Sequence, residues 1–443
     1  MTVKFYKSFF LVTLCVVLWM VKSYAAQTAG RSPLEESFST EHPYKSFSTD
    51  FPTVPYTPLL HETAFDKKGK WQPYGSFDFS TVYDSNLFNS RIDPKDDLIY
   101  TYVATAGFER QGDKAYFDTA YDLAYSDFVE NEKLSRFGHV ISSRFRWTDD
   151  RFKFTFENTF KPDSPYNVGE RTEFLLLEPS GIIATSDAAR AHVSFELAPR
   201  WKLLYTQHYS VYYFHNEADE PFSAQAFIFN PKIMHEINDK TALYVSYSYR
   251  VKDFFKRGIF SSKQHIPRAG FVTSLGPATD LGANVGYAFR EYEDLENEDH
   301  GGLVAKVEVT QRLFRRGTLT LWGVKVLDEN FDTSVIDSPN EDAYFVGADF
   351  VWRVSPALEL RSGASAGFTS REGLATLADP DNSSLTFTRE LESDFYGWSA
   401  DVKWKLNSQW SILLGYKFFN KNSSFKDFEY EDHKAVGSIR ADF

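Results

Sequence analysis

The sequence predicts an all-β protein: a transmembrane, antiparallel up-and-down β-barrel of about eighteen strands, on three observations. From Trp71 to the last residue, apolar and polar side chains alternate with period two in runs of about ten residues. Tight turns alternate with polar segments that are mostly longer between these runs. Six of the nine tryptophans stand at the start of the first run or beside a tight turn.

The alternation is plain in several places. Phe152, Phe154 and Phe156 interleave with Lys153, Thr155 and Glu157; Leu243 to Val251 and Ile412 to Phe418 repeat the pattern. One apolar and one polar face per strand is what a sheet between two solvents requires. The tight turns are Gln111-Gly112-Asp113, Thr148-Asp149-Asp150, Ala198-Pro199-Arg200, Asn238-Asp239, Pro277-Ala278-Thr279, Arg315-Arg316-Gly317, Ser355-Pro356 and Asn407-Ser408-Gln409. The longer connections are expected at 85–97, 162–181, 216–221, 329–341 and 371–392. Short turns on one side and long loops on the other distinguish a membrane barrel from a soluble sandwich, whose connections have no reason to alternate in length. Closure also removes the free strand edges that a long open sheet would expose. Trp71, Trp147, Trp201, Trp352, Trp404 and Trp410 then form an aromatic girdle on the short-turn, periplasmic side.

Upstream of the barrel the chain reads differently. Lys4 and Lys7 precede an apolar run from Phe9 to Val21, followed by Ser23-Tyr24-Ala25. A charged start, a short apolar centre and a small-residue exit make residues 1–25 a signal peptide for the general secretory pathway. Residues 26–70, punctuated by Pro33, Pro43, Pro52, Pro55 and Pro58, are expected to form a periplasmic extension or linker, and residues 71–443 the barrel. The chain ends Ile439-Arg440-Ala441-Asp442-Phe443, and Phe443 is read as an assembly signal for the barrel assembly machinery of a bacterial outer membrane.

Composition removes other classes. The only cysteine, Cys15, lies in the leader, so disulfides and thiol chemistry are not expected downstream. Net charge is −13 with no basic block, which argues against nucleic acid. No cofactor, metal site or catalytic constellation is expected; His192, His208, His300 and His433, read as lumenal or loop residues, show no ligand spacing.

A barrel of this size encloses water. If the aromatic-rich face meets lipid, the polar face lines that lumen. Its acidic sector is assigned to Asp78, Asp84, Asp118 and Asp122. Its basic wall is assigned to Arg144, Arg146, Lys153, Arg190, Arg250, Arg268, Arg290, Lys306, Arg312, Arg353, Arg361, Lys403 and Lys417. Opposed charges of this kind orient water and favour anions, although charges paired across strands would produce the same composition.

The segment Tyr83-Asp84-Ser85-Asn86-Leu87-Phe88 resembles the opening hairpin of the exopolysaccharide-associated outer-membrane barrels known as β-barrel porin 2. The resemblance implies a polysaccharide export conduit working with periplasmic export proteins, with the Pro-rich arm as a docking element. Asp84 and Asn86 also have a plainer role, capping the first loop through side-chain to backbone hydrogen bonds. Two further functions fit the pattern: a diffusion porin for small polar or anionic solutes, constricted by a loop such as 162–181 with its Leu175-Leu176-Leu177, and a surface adhesin or structural barrel.

Overall fold

The computed structural model describes residues 69–87, 94–165, 183–215, 223–255, 261–292, 300–314, 316–329, 340–378, 384–424 and 429–443. Among these, eighteen strands follow one another in chain order. They are β1 (Trp71–Asp84), β2 (Asp97–Gln111), β3 (Ala115–Phe128), β4 (Arg136–Thr148), β5 (Phe152–Pro165) and β6 (Ile183–Ala198). Next come β7 (Trp201–Phe214), β8 (Ala224–Asn238), β9 (Thr241–Phe254), β10 (Ser262–Gly276), β11 (Thr279–Tyr292) and β12 (His300–Leu313). The wall ends with β13 (Gly317–Glu329), β14 (Asn340–Arg353), β15 (Leu358–Ala378), β16 (Ser384–Lys405), β17 (Trp410–Ser423) and β18 (Tyr430–Asp442). Each pairs antiparallel with its chain neighbour, and β1 pairs with β18, so the sheet closes on itself. Closure leaves the sheet no free edge strand, as crossing hydrocarbon requires.

Period two settles which residue faces which solvent. In β1, Ser76, Asp78, Ser80, Val82 and Asp84 point into the lumen and are buried, whereas Phe77 and Tyr83 are exposed on the outside. The outer belt continues with exposed Leu243 and Val245 on β9, Val285 and Phe289 on β11 and Leu303 and Val307 on β12. The six tryptophans expected at the short-turn end are all outward and exposed. Tyrosines take the other end of the belt. Tyr121, Tyr247 and Tyr416 each reach diagonally to a histidine on the next strand, His139, His265 and His433. His433 therefore lies on the outer face and not in the lumen, because it pairs in register with lipid-facing Phe418.

The longest expected loop is largely sheet. β15 and β16 remain paired from Leu358–Trp404 to Ala378–Ser384, so most of 371–392 is a hairpin that continues the wall. The expected signal peptide and nearly all of the extension lie outside the described residues, as do Leu175-Leu176-Leu177.

Candidate functional site: the lumen

All the acids and bases assigned to the lumen occupy lumen-facing register positions. Closure adds what the sequence withheld. In a ring of eighteen strands, β10 to β12 stand diametrically across from β1 to β3. Arg268, Arg290 and Lys306 thus face the sector carrying Asp78, Asp84, Asp118 and Asp122.

The basic side has an internal order. Lys232, Ser246 and Arg268 are in register across β8, β9 and β10. Lys232 lies close enough to Lys306 and Arg268 to be repelled by both, and Arg250 and Arg268 repel each other. Arg190 is in register with His208, which also feels Arg250. Like charges held together in this way leave an excess of positive potential over β6 to β12. Lys232 is stabilised by the ring of Tyr244, 4.7 Å from its centroid. Lys202 pairs with Glu236 at 2.9 Å, and Lys306 with Glu308 at 2.9 Å.

Most of the remaining predicted bases are neutralised or stand at the mouth, whereas Lys417 lies opposite another cation. Arg144 holds Glu157 at 2.8 Å, and Arg146 stacks over Tyr116. Arg353 and Arg361 grip Glu359 from two sides at the short-turn end, and Arg312 reaches Asp280 nearby. Lys403 pairs in register with Glu359, and Lys417 with Lys434. Lys153, opposite Thr148, is exposed at the same rim.

The acidic side is more tightly built. Lys434 of β18 contacts Asp84 at 2.8 Å and Asp432 at 3.3 Å, and Arg440 lies in register with Asp78. Two acids of the sector thus face cations from the last strand, a pairing visible only once the barrel closes. The segment that resembled an export hairpin has a structural role here. Asn86 N donates to Asp84 Oδ1, Asn86 Nδ2 donates to Glu431 O, and His433 N donates to Ser85 Oγ. Leu87 packs with Val82, Ile99, Leu134 and Val436. The expected capping by Asp84 and Asn86 is present, and it joins β1 to β18.

Sequence reasoning missed the lumen's aromatic rings, because it assigned aromatics to lipid. Tyr74, Tyr244, Trp322 and Phe345 face inward, each directly opposite a glycine in register: Gly107, Gly270, Gly347 and Gly367. A Cβ on any of these glycines would come within 2.2–2.6 Å of the ring, so the rings lie flat over bare backbone. Flat rings occupy little of the lumen, and two of them meet carboxylates: Tyr74 Oη donates to Asp118 Oδ1 at 2.6 Å and Trp322 Nε1 to Asp349 Oδ2 at 2.8 Å. The signal that would have found them is the glycine facing each aromatic, which needs strand register to see.

No family model matches the chain, and no curated protein matches it. Solved structures with similar barrels include Pseudomonas aeruginosa OccK2 (OpdF) in complex with glucuronate, at 11% identity and TM-score 0.46, covering 85% of this chain and 99% of that one. A BenF-like porin from Pseudomonas fluorescens Pf-5 matches at 11% identity and TM-score 0.46, covering 85% and 100%. The siderophore receptor PirA of Pseudomonas aeruginosa matches at 9% identity and TM-score 0.44, covering 85% and 81%. Scores of this size carry no inference about solute or partner.

Proposed function

We propose that the protein is an outer-membrane channel through which small polar solutes diffuse, anions more readily than cations. The carrying observation is the cluster of Lys232, Arg250, Arg268 and Lys306 on the lumen face of β8 to β12, set across the ring from the carboxylates of β1 to β3. A wall of like charge in a water-filled tube raises the local concentration of the opposite ion and lowers its barrier. The leader expected from the sequence and Phe443 fit secretory export and insertion by the barrel assembly machinery; Phe443 is exposed on the outer face and its backbone pairs with Gly75.

A polysaccharide conduit is the weaker reading. Its sequence motif is accounted for by the β1–β18 closure, and no family model supports the resemblance. Planar-bilayer conductance of the refolded protein, with reversal potential read in a potassium chloride gradient, tests the proposal. A steady current with chloride more permeant than potassium supports it. A cation-selective current, or none from protein shown to be folded by heat-modifiable mobility, overturns it.

A further inference from the structure

The three tyrosine–histidine pairs of the outer face share one geometry. Tyr121 stands in register with Ile141, Tyr247 with Pro267 and Tyr416 with Ala435. Each hydroxyl reaches Nδ1 of the histidine two residues nearer the loop on the neighbouring strand. A tyrosine that donates to Nδ1 leaves the ring proton on Nε2, so each histidine is set as an Nε2 donor. Their depth is shared as well. His139 and Trp147 lie on β4, and at a rise of about 3.3 Å per residue and a tilt of about 40° they are roughly 20 Å apart along the membrane normal. His433 stands as far from Ala441, the register partner of Trp410, and His265 as far from Thr273, the partner of Thr241 at its turn. An apolar band about 25 Å tall therefore ends close to all three rings, on the side of the long loops.

What stands two residues nearer the loop differs between the pairs. On β18 it is a carboxylate, and His433 Nε2 lies 2.7 Å from Glu431 Oε1. On β4 it is the exposed ring of Phe137. On β10 it is Lys263, which has donors and no acceptor. The β10 pair thus adds a cation where the β18 pair holds its oxyanion. Lys263 and His265 are both partly exposed, with Glu291 and Phe289 as their register partners on β11. Toward the short turns the outer face beside them is apolar and open, with Val245, Val285, Tyr287 and Phe289 each 43–57% exposed.

We propose that His265 and Lys263 bind the phosphate head of a lipid in the leaflet on the long-loop side. One phosphate oxygen accepts from His265 Nε2 and another from Lys263 Nζ, both as charge-assisted hydrogen bonds. The acyl chains run down the wall over Phe289, Tyr287, Val285 and Val245. Glu291 opposes any anion here, so free phosphate gains little, and the apolar strip favours a phosphate that carries chains. The site faces lipid and not the lumen, so lipid binding and conductance are read by different experiments.

The test is native mass spectrometry of the full barrel, released from micelles that contain dioleoyl phosphatidic acid or dioleoylglycerol, which has the same chains and no phosphate. Phosphatidic acid should be retained at least about tenfold more tightly, the factor that one charge-assisted hydrogen bond supplies. Lys263→Gln and His265→Phe, each folded by heat-modifiable mobility, should lower that affinity by about the same factor and leave the reversal potential of the channel unchanged. His433→Phe, beside Glu431, should leave lipid retention as it is. Equal retention of the two lipids, unchanged retention in both β10 variants, or a loss in His433→Phe as large as in His265→Phe overturns the site. Displacement of phosphatidic acid by millimolar inorganic phosphate overturns the assignment to a lipid.

Discussion

Lys434, on the last strand, places its ammonium 2.8 Å from the Asp84 carboxylate on the first, and both side chains are more than nine-tenths buried. The contact bridges the first and last strands where the barrel closes, with Asp432 as a second acid at 3.3 Å. Lys434→Met would leave two buried carboxylates uncompensated. Removing one member of such a pair costs about 3–5 kcal/mol. Urea unfolding in lipid vesicles should show that loss, and the seam should open at lower temperature in heat-modifiability gels. The double variant Asp84→Asn/Lys434→Met should lose less than the two single changes added together.

Tyr74 donates to Asp118 at 2.6 Å while its ring covers Gly107. Gly107→Ala would place a methyl carbon 2.3 Å from the ring, so Tyr74 would have to abandon Asp118. Overpacking of this kind costs about 1–3 kcal/mol. Tyr74→Phe keeps the ring but removes the donor from a fully buried carboxylate, at about 1–3 kcal/mol. Urea titration should place both variants in that range, with only Gly107→Ala changing near-UV circular dichroism strongly.

Selectivity should follow the basic run. Arg268→Glu/Lys306→Glu introduces two acids where the wild type gathers cations, and the reversal potential in a salt gradient should move toward potassium. Arg353→Glu, at the exposed short-turn rim and already facing Glu359, should shift it much less.

The turn pair Lys114–Asp149, 2.7 Å apart, lies in open water. The Lys114 hydrogen bond draws the Asp149 carboxyl below the ordinary carboxylate value, and Asp149 raises the Lys114 ammonium in return. A depressed acid contributes above its unfolded value and loses that contribution as pH falls through the folded one. Asp149→Asn should leave unfolding at neutral pH almost unchanged, because exposed pairs contribute little. Any difference from wild type should shrink as pH falls below the ordinary carboxylate range.

Local pattern determined much of this protein. Alternation marked the strands, turn chemistry marked the short connections, and the same parity assigned Asp78, Arg268 and the other lumenal charges to one face, because a period of two is written into consecutive residues. Even Asp84 and Asn86 were legible as a cap, since their partners are backbone groups close by or on the adjoining strand. Tertiary structure decided whatever depends on which strand lies beside or across from which. Closure put Lys434 on Asp84 and set β10 to β12 opposite β1 to β3, joining residues hundreds of positions apart. Register laid Trp322 over Gly347 and turned rings inward that composition had assigned to lipid. The β12–β13 ladder ends at Ala305–Lys325, and beyond it Gln264 and Arg290, from β10 and β11, donate to the Leu327 carbonyl, a contact between strands that are not neighbours.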